Sequence, residues 1–181
     1  MLHTLGTHIA RRVATTLAIA AMAVVGTATM ALAVTPAAPQ PIAVLSDPPP
    51  PTNPTIARAN EIMSLDYKGF DALPKNEPPF DWSNDGCSTP WLPNTAILGD
   101  FNDDFFRACI QHDFGYANYG VGGLALSPNE NTRGWIDDRL LEEMRRICNN
   151  EVSFIDRPIC HIFAVTFHTA VRNFGRSAFY S

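Results

Sequence analysis

A histidine and an aspartate stand side by side at positions 112 and 113, in a segment whose apolar residues recur at helical spacing. Because a helix turns about 100° per residue, His112 and Asp113 project from neighbouring faces and can serve different tasks at one site. Four apolar residues flank them: Phe105, Phe106, Ile110 and Phe114. We expect these residues to bury the pair, so each polar group needs a hydrogen bond, a charged partner or a ligand.

A second acid lies beside another apolar stripe. Four residues recur at helical spacing between Arg133 and Cys148: Ile136, Leu140, Met144 and Ile147. Asp137 shares its side with Leu140 and Met144, which favours a buried partner for this carboxylate. Another interpretation stays open, because Asp137 is close to the helix start, where the helix dipole favours a negative charge.

A turn signal, Asp85-Gly86, lies in the polar segment from Asp81 to Cys87. Cys87 can anchor this turn through a disulfide bond. A fixed turn presents carboxylate and carbonyl oxygens at set positions, as a hard cation such as calcium requires. The sequence therefore offers a candidate cation site.

The first 33 residues have the features of a signal peptide. Arg11 and Arg12 precede a largely apolar run, and Ala31-Leu32-Ala33 is a small-residue cleavage site. We predict secretion with cleavage near Ala33, and a retained membrane anchor is the alternative because the run approaches the length of a bilayer span. Residues 34–53 are rich in proline and are predicted to be an extended linker.

All four cysteines lie beyond the predicted signal peptide, at positions 87, 109, 148 and 160. An even number in an exported protein indicates disulfides, and three pairings are possible. We favour Cys87–Cys109 and Cys148–Cys160, because each would tie a loop to the helix next to it. Zinc at Cys109 and His112 is disfavoured, since the chain has no second ligand pair at suitable spacing.

The remaining pattern predicts a mainly α fold. We expect a helix from Pro54 to about Asp66 capped by Asn53, and an ordered loop over residues 67–92. A central helix is predicted from Asn102 or Asp103 to Tyr119, followed by the helix Arg133 to Cys148. A last helix is predicted between an Asp156 cap and Gly175. No segment alternates as a strand would.

Taken together, these segments resemble the secretory phospholipases A2, in their bacterial and fungal branch. Three strings carry the resemblance: Cys109-x-x-His112-Asp113-x-x-Tyr116, Asp81-Trp82-Ser83-x-Asp85-x-Cys87 and Arg133-x-x-Ile136-Asp137. It covers about residues 80–175. The paired cysteines before the histidine and the glycine-rich, cysteine-bearing calcium loop of the animal enzymes are absent.

The resemblance implies a small disulfide-stapled helical phospholipase A2-like domain over residues 54–181, with two long antiparallel active-site helices. It implies hydrolysis of the sn-2 ester of glycerophospholipids at a membrane or micelle surface. His112 would be the general base, Asp137 its orienting partner, and Tyr116 a hydrogen-bond donor to that acid. Ca2+ would be held by Asp85, Asp113 and the carbonyl of Gly86.

The charge balance limits the classes of partner. The full chain carries a formal net charge of -5, and loss of the two arginines in residues 1–33 makes it -7. Such an acidic protein lacks the basic patch that nucleic acid requires, which disfavours a nuclease built on His112. We expect a monomer. The alternative function is a secreted lipid- or partner-binding protein on the same scaffold.

Overall fold

The computed structural model describes residues 46–88 and 96–181, and its account of side chains in the second range begins at residue 103. The predicted signal peptide and the first part of the predicted linker lie outside these ranges. Six helices follow one another within these two ranges: α1 (Pro54–Ser64), α2 (Tyr67–Asp71), α3 (Ala96–Tyr119), α4 (Glu130–Asn150), α5 (Arg157–Phe174) and α6 (Arg176–Phe179). The described ranges contain no strand, so the prediction of a mainly α fold is confirmed. None of the helices described is long and apolar enough to cross a bilayer.

The first two helices lie close together in the chain. Asn53 caps α1 as predicted, because its side chain accepts a hydrogen bond from the N–H of Ile56 at 2.9 Å. Helix α2 was not predicted, since the sequence around it is rich in turn formers. Asp66 starts it by accepting a hydrogen bond from the N–H of Gly69 at 2.7 Å, and burial of Phe70 holds it in place.

The ends of the longer helices differ from the prediction. Helix α3 begins at Ala96, before the predicted Asn102 or Asp103. Gly99 and Asp100 are weak helix formers, so local propensity does not indicate this earlier start. Helix α5 ends before Gly175 as predicted, but the Asp156 side chain makes no capping hydrogen bond. It accepts instead from the hydroxyl of Ser153 at 2.9 Å.

Helices α3 and α4 run antiparallel. Three contacts join them: Arg107 with Glu151 at the end of α4, His112 with Asp137, and Tyr119 with Trp135. Residue numbers rise along α3 while those of the partners fall along α4. This arrangement brings the middle of α3 against the first half of α4.

The core lies between these helices and their neighbours. Phe105, Ile110 and Phe114 are buried as predicted. Phe106 is not, because its side of α3 faces outward, and it stays 49% exposed. Its ring contacts the backbone of Gly86 so closely that a Cβ at position 86 would lie 2.9 Å from it.

Two disulfide bonds connect the elements. Cys87 is bonded to Cys109, which fastens the Asp85-Gly86 turn to α3. Cys148 is bonded to Cys160, which joins α4 to α5. The expectation that this second bond ties a loop to a helix is wrong, because both of its cysteines are helical.

The end of the predicted linker packs against the helices. The backbone N–H and hydroxyl of Ser46 donate to the Asp138 carboxylate at 3.2 and 2.9 Å. Pro49 is buried, and its carbonyl accepts from the side-chain amide of Asn60 at 2.8 Å. These bonds attach the segment to α4 and α1.

Gly115 allows α3 to pack closely against α4. A Cβ at this position would lie 2.7 Å from a methyl group of the buried Ile136. We expect Gly115→Ala to lower the free energy of unfolding by about 1–3 kcal/mol, because overpacking outweighs the better helix propensity of alanine. Urea unfolding with intact disulfides measures this change.

The matched control is Gly134→Ala on α4. Its added Cβ meets the movable end of the Arg172 side chain, so its stability should stay near that of wild type or rise. Equal stability of the two variants would contradict the packing argument.

Candidate active site

His112 and Asp137 meet at the crossing of α3 and α4. The Nε2 atom of His112 lies 2.9 Å from Oδ1 of Asp137. Asp137 is fully buried and His112 is nearly so. Of the two interpretations that the sequence left open for Asp137, the geometry fits the buried partner. A carboxylate can only accept, so Nε2 of His112 carries the proton in this bond.

Both oxygens of Asp137 are used. Oδ1 also accepts a hydrogen bond from the hydroxyl of Tyr116 at 2.8 Å. Oδ2 accepts from Nη1 of Arg133 at 3.1 Å and from Nη1 of Arg172 at 3.4 Å. Four donors therefore offset the loss of water around this carboxylate.

The two arginines were not among the residues that the sequence predicted for the site. Arg133 stands four residues before Asp137 on α4, a spacing that puts both on one helix face and could have indicated the pair. Arg172 comes from α5, and no local pattern connects it with Asp137. Only the packing of α5 against α4 brings it there.

The second ring nitrogen of His112 is free of a hydrogen bond to Asp137. Nδ1 lies 3.9 Å from Oδ1 of Asp113, beyond hydrogen-bond distance. The imidazole also lies against the Tyr116 ring, with 4.2 Å between ring centroids. This tilted ring contact and the Asp137 bond together restrict the direction in which Nδ1 points.

The surroundings of His112 act on its pKa in opposite directions. Burial disfavours the charged imidazolium, but the carboxylates of Asp113 and Asp137 outweigh this and raise the pKa to about 9. For the Tyr116 hydroxyl, burial disfavours the charged phenolate and therefore raises the pKa, and the Asp137 charge raises it further. Tyr116 is therefore a donor and not a base at physiological pH.

Asp113 faces the Asp85-Gly86 turn. Its Oδ2 accepts hydrogen bonds from the backbone N–H groups of Asp85 at 3.1 Å and Gly86 at 3.0 Å. Gly86 has a φ of +67°, which a residue with a side chain rarely adopts. The Cys87–Cys109 bond holds this turn against α3, so Asp85 and Asp113 stay neighbours.

Two cavities adjoin these groups. The first, of about 220 Å³, is lined by His112 and Asp113 and also by apolar side chains. These apolar side chains include Leu140, Phe167 and Val171. The second cavity, of about 490 Å³, shares Asp85, Asp113, Tyr116 and Ala178 with the first and is otherwise lined mainly by polar and small residues.

The oxygen donors suit a hard cation. Asp85 is exposed and Asp113 half-buried, and both line the same two cavities. In the part of the chain described, no cluster of three or more His, Cys, Asp and Glu side chains could hold a metal ion. Two carboxylates and the Gly86 carbonyl need no third such side chain, and calcium fills its other positions with water or substrate oxygens. The residues fit a calcium ion on these grounds.

Comparison with known proteins decides the family. Residues 62–175 match the sequence profile of the prokaryotic phospholipase A2 family. The chain belongs to this family. The match includes His112, Asp113 and Asp137, together with both disulfide bonds.

A curated relative in the same comparison is a secretory phospholipase A2 from Beauveria bassiana (strain ARSEF 2860). The two sequences are 33% identical over 101 residues, which is 56% of this chain. The aligned part is 47% of the relative, so the chain spans about half of that protein's length.

The raised pKa of His112 predicts a pH-dependent contribution to stability in metal-free protein. Protonated His112 stabilises the folded state because its folded pKa, about 9, exceeds the ordinary value of 6.5. The contribution is complete below pH 6.5 and disappears as pH rises through about 9. Urea unfolding in a chelator across this range measures it.

His112→Gln serves as the reference, because all other titrating groups are the same in the two proteins. The stability advantage of wild type over the variant should shrink with rising pH. An advantage that grows toward pH 9 would show that burial dominates over the two carboxylates.

Proposed function

We propose that this protein is a secreted, calcium-dependent phospholipase A2 that hydrolyses the sn-2 ester of glycerophospholipids to a lysophospholipid and a free fatty acid. One contact carries the proposal: His112 is bonded to the buried Asp137 through Nε2, which leaves Nδ1 for proton transfer. Membership of the prokaryotic phospholipase A2 family supports it.

In the proposed reaction, Nδ1 of His112 takes a proton from a water molecule as the water attacks the ester carbonyl. Asp137 keeps the other ring proton on Nε2 and stabilises the imidazolium that forms. Tyr116 and Arg133 hold the Asp137 carboxylate in place during this step. His112 then returns its proton to the departing alcohol oxygen, which completes hydrolysis.

The cavity walls support a lipid substrate. Leu140, Phe167 and Val171 provide apolar surface in the cavity that His112 lines, suited to an acyl chain. The polar second cavity begins at Asp85 and Asp113, where a head group can stay hydrated. An ester between the two would lie beside Nδ1.

Calcium would be held by the carboxylates of Asp85 and Asp113 and the carbonyl of Gly86. When bound, it supplies positive charge for the substrate phosphate and for the carbonyl oxygen that becomes negative in the transition state. With its own charge offset by the cation, Asp113 would raise the pKa of His112 less strongly. The imidazole would then be neutral at a lower pH and able to accept a proton.

Secretion is part of the proposal. The predicted signal peptide of residues 1–33 and two disulfide bonds are typical of an exported protein. The fungal relative carries the word "secretory" in its name.

The decisive experiment assays release of fatty acid from a phosphatidylcholine labelled at the sn-2 chain, in mixed micelles. We expect calcium-dependent release that a chelator abolishes. His112→Gln should lower kcat by about 10²–10⁴-fold, because it removes the general base. Mass spectrometry of the lysophospholipid identifies the hydrolysed position.

Turnover that survives both the chelator and His112→Gln would refute the mechanism. Calcium binding by wild-type protein without turnover on phosphatidylcholine, phosphatidylethanolamine or phosphatidylglycerol would favour the binding-protein alternative. Release from the sn-1 position would refute the proposed regiochemistry.

The calcium ligands have their own test. Asp85→Asn should weaken calcium binding about tenfold or more, since it removes one of two anionic ligands, and calorimetry measures the change. Asp103→Asn is the matched control, because Asp103 is an exposed acid of α3 that lines neither cavity, and its replacement removes the same charge. Equal affinities in the two variants would remove Asp85 from the site.

A further inference from the structure

The second oxygen of Asp137, Oδ2, is held by two arginines from different helices. We infer that Arg133 and Arg172 are positioning residues for the His112–Asp137 pair, and that Arg172 reaches its place only because residue 134 is glycine. The inference rests on the proposed function for its effect on turnover. The contacts that carry it do not depend on that function.

A buried carboxylate needs partners on both oxygens. Asp137 has no exposure to water, so an unpaired Oδ2 would be a buried polar atom without a partner and would favour rotation of the carboxylate toward another donor. Such a rotation weakens the bond that Oδ1 makes with His112. Two guanidinium groups on Oδ2 satisfy this oxygen and fix the plane of the carboxylate.

Arg133 also connects Asp137 to the end of α5. Its Nη1 donates to the carbonyl of Val171 and its Nη2 to the carbonyl of Arg172, each at 3.3 Å. The guanidinium is buried, and its Nε donates to Glu130 at 3.0 Å. One side chain thereby fixes both the Asp137 carboxylate and the helix that provides the apolar cavity wall.

The Arg172 side chain reaches Asp137 from the protein surface. Its side chain is 39% exposed, and its Nη1 donates to Oδ2 of Asp137 at 3.4 Å. The guanidinium lies over Gly134, where a Cβ would come within 2.8 Å of Nη1. Glycine is a poor helix former, so its presence within α4 has a physical reason here: it leaves room for the arginine.

This geometry allows two independent ways of removing the same contact. Arg172→Met deletes the guanidinium, and Gly134→Ala displaces it while improving helix propensity. We expect each variant to lower kcat about tenfold through misplacement of the catalytic pair, with KM changed less than about twofold. The double variant should be no worse than either single variant, because both remove one contact.

Measuring stability together with kcat distinguishes a positioning role of Arg172 from a purely structural one. Gly134→Ala should keep or raise the thermal midpoint of unfolding while kcat falls. A loss of activity caused by weakened folding would instead lower both. Arg145→Met is the control, because Arg145 is an exposed arginine of the same helix and should leave kcat unchanged.

A spectroscopic measurement does not require turnover. The Nε2 proton that His112 donates to Asp137 should give a far-downfield proton resonance, assigned by its loss in His112→Gln and Asp137→Asn. In Arg172→Met and Gly134→Ala this resonance should move upfield and exchange faster with water. If wild type hydrolyses no phospholipid, this measurement still decides the inference.

An unchanged resonance and unchanged kcat in both variants would overturn the inference. So would the absence of the resonance from wild type, since the His112–Asp137 bond is its premise. Additive losses in the double variant would show that Gly134 and Arg172 act separately and would overturn the role assigned to the glycine.

Discussion

The structure depends on giving one buried carboxylate hydrogen-bond partners without water. Asp137 is fully buried, and the cost of that burial is offset by donors from three helices: His112 and Tyr116 on α3, Arg133 on α4 and Arg172 on α5. A shift of any one helix would leave a charge partly unpaired in the core. The relative placement of the three helices is therefore constrained at this point more tightly than apolar packing alone would require.

Other features of the fold maintain that placement. Gly115 lets α3 approach α4 beside the His112–Asp137 pair, and the Cys148–Cys160 bond joins α4 to α5. The Cys87–Cys109 bond likewise fastens the Asp85-Gly86 turn to α3. Proton transfer and cation binding would thus use neighbouring faces of one helix, and each face lies beside its own disulfide bond.

What could be predicted from the sequence was mostly what spacing along the chain determines. The helical class, the Asn53 cap and the end of α5 follow from local patterns. Helix α2 was missed because burial of its apolar side chains outweighs the local preference of its sequence for turns. Phe106 was assigned to the core because helical spacing alone does not say which face of a helix is covered. Arg172 was missed because no residue near it in the sequence indicates a contact with Asp137. Contacts between side chains on separate helices can be identified only when the packing of those helices is known.

The conformation of Gly86 has a consequence for how the site can change. Its positive φ and the Phe106 ring beside it exclude a side chain at this position, so residue 86 can contribute only a backbone oxygen to a cation. In the proposed calcium site, a shift in ion preference would then have to act through the side chains at positions 85 and 113. A softer metal, which prefers sulfur or nitrogen, would need Cys or His at one of these two positions.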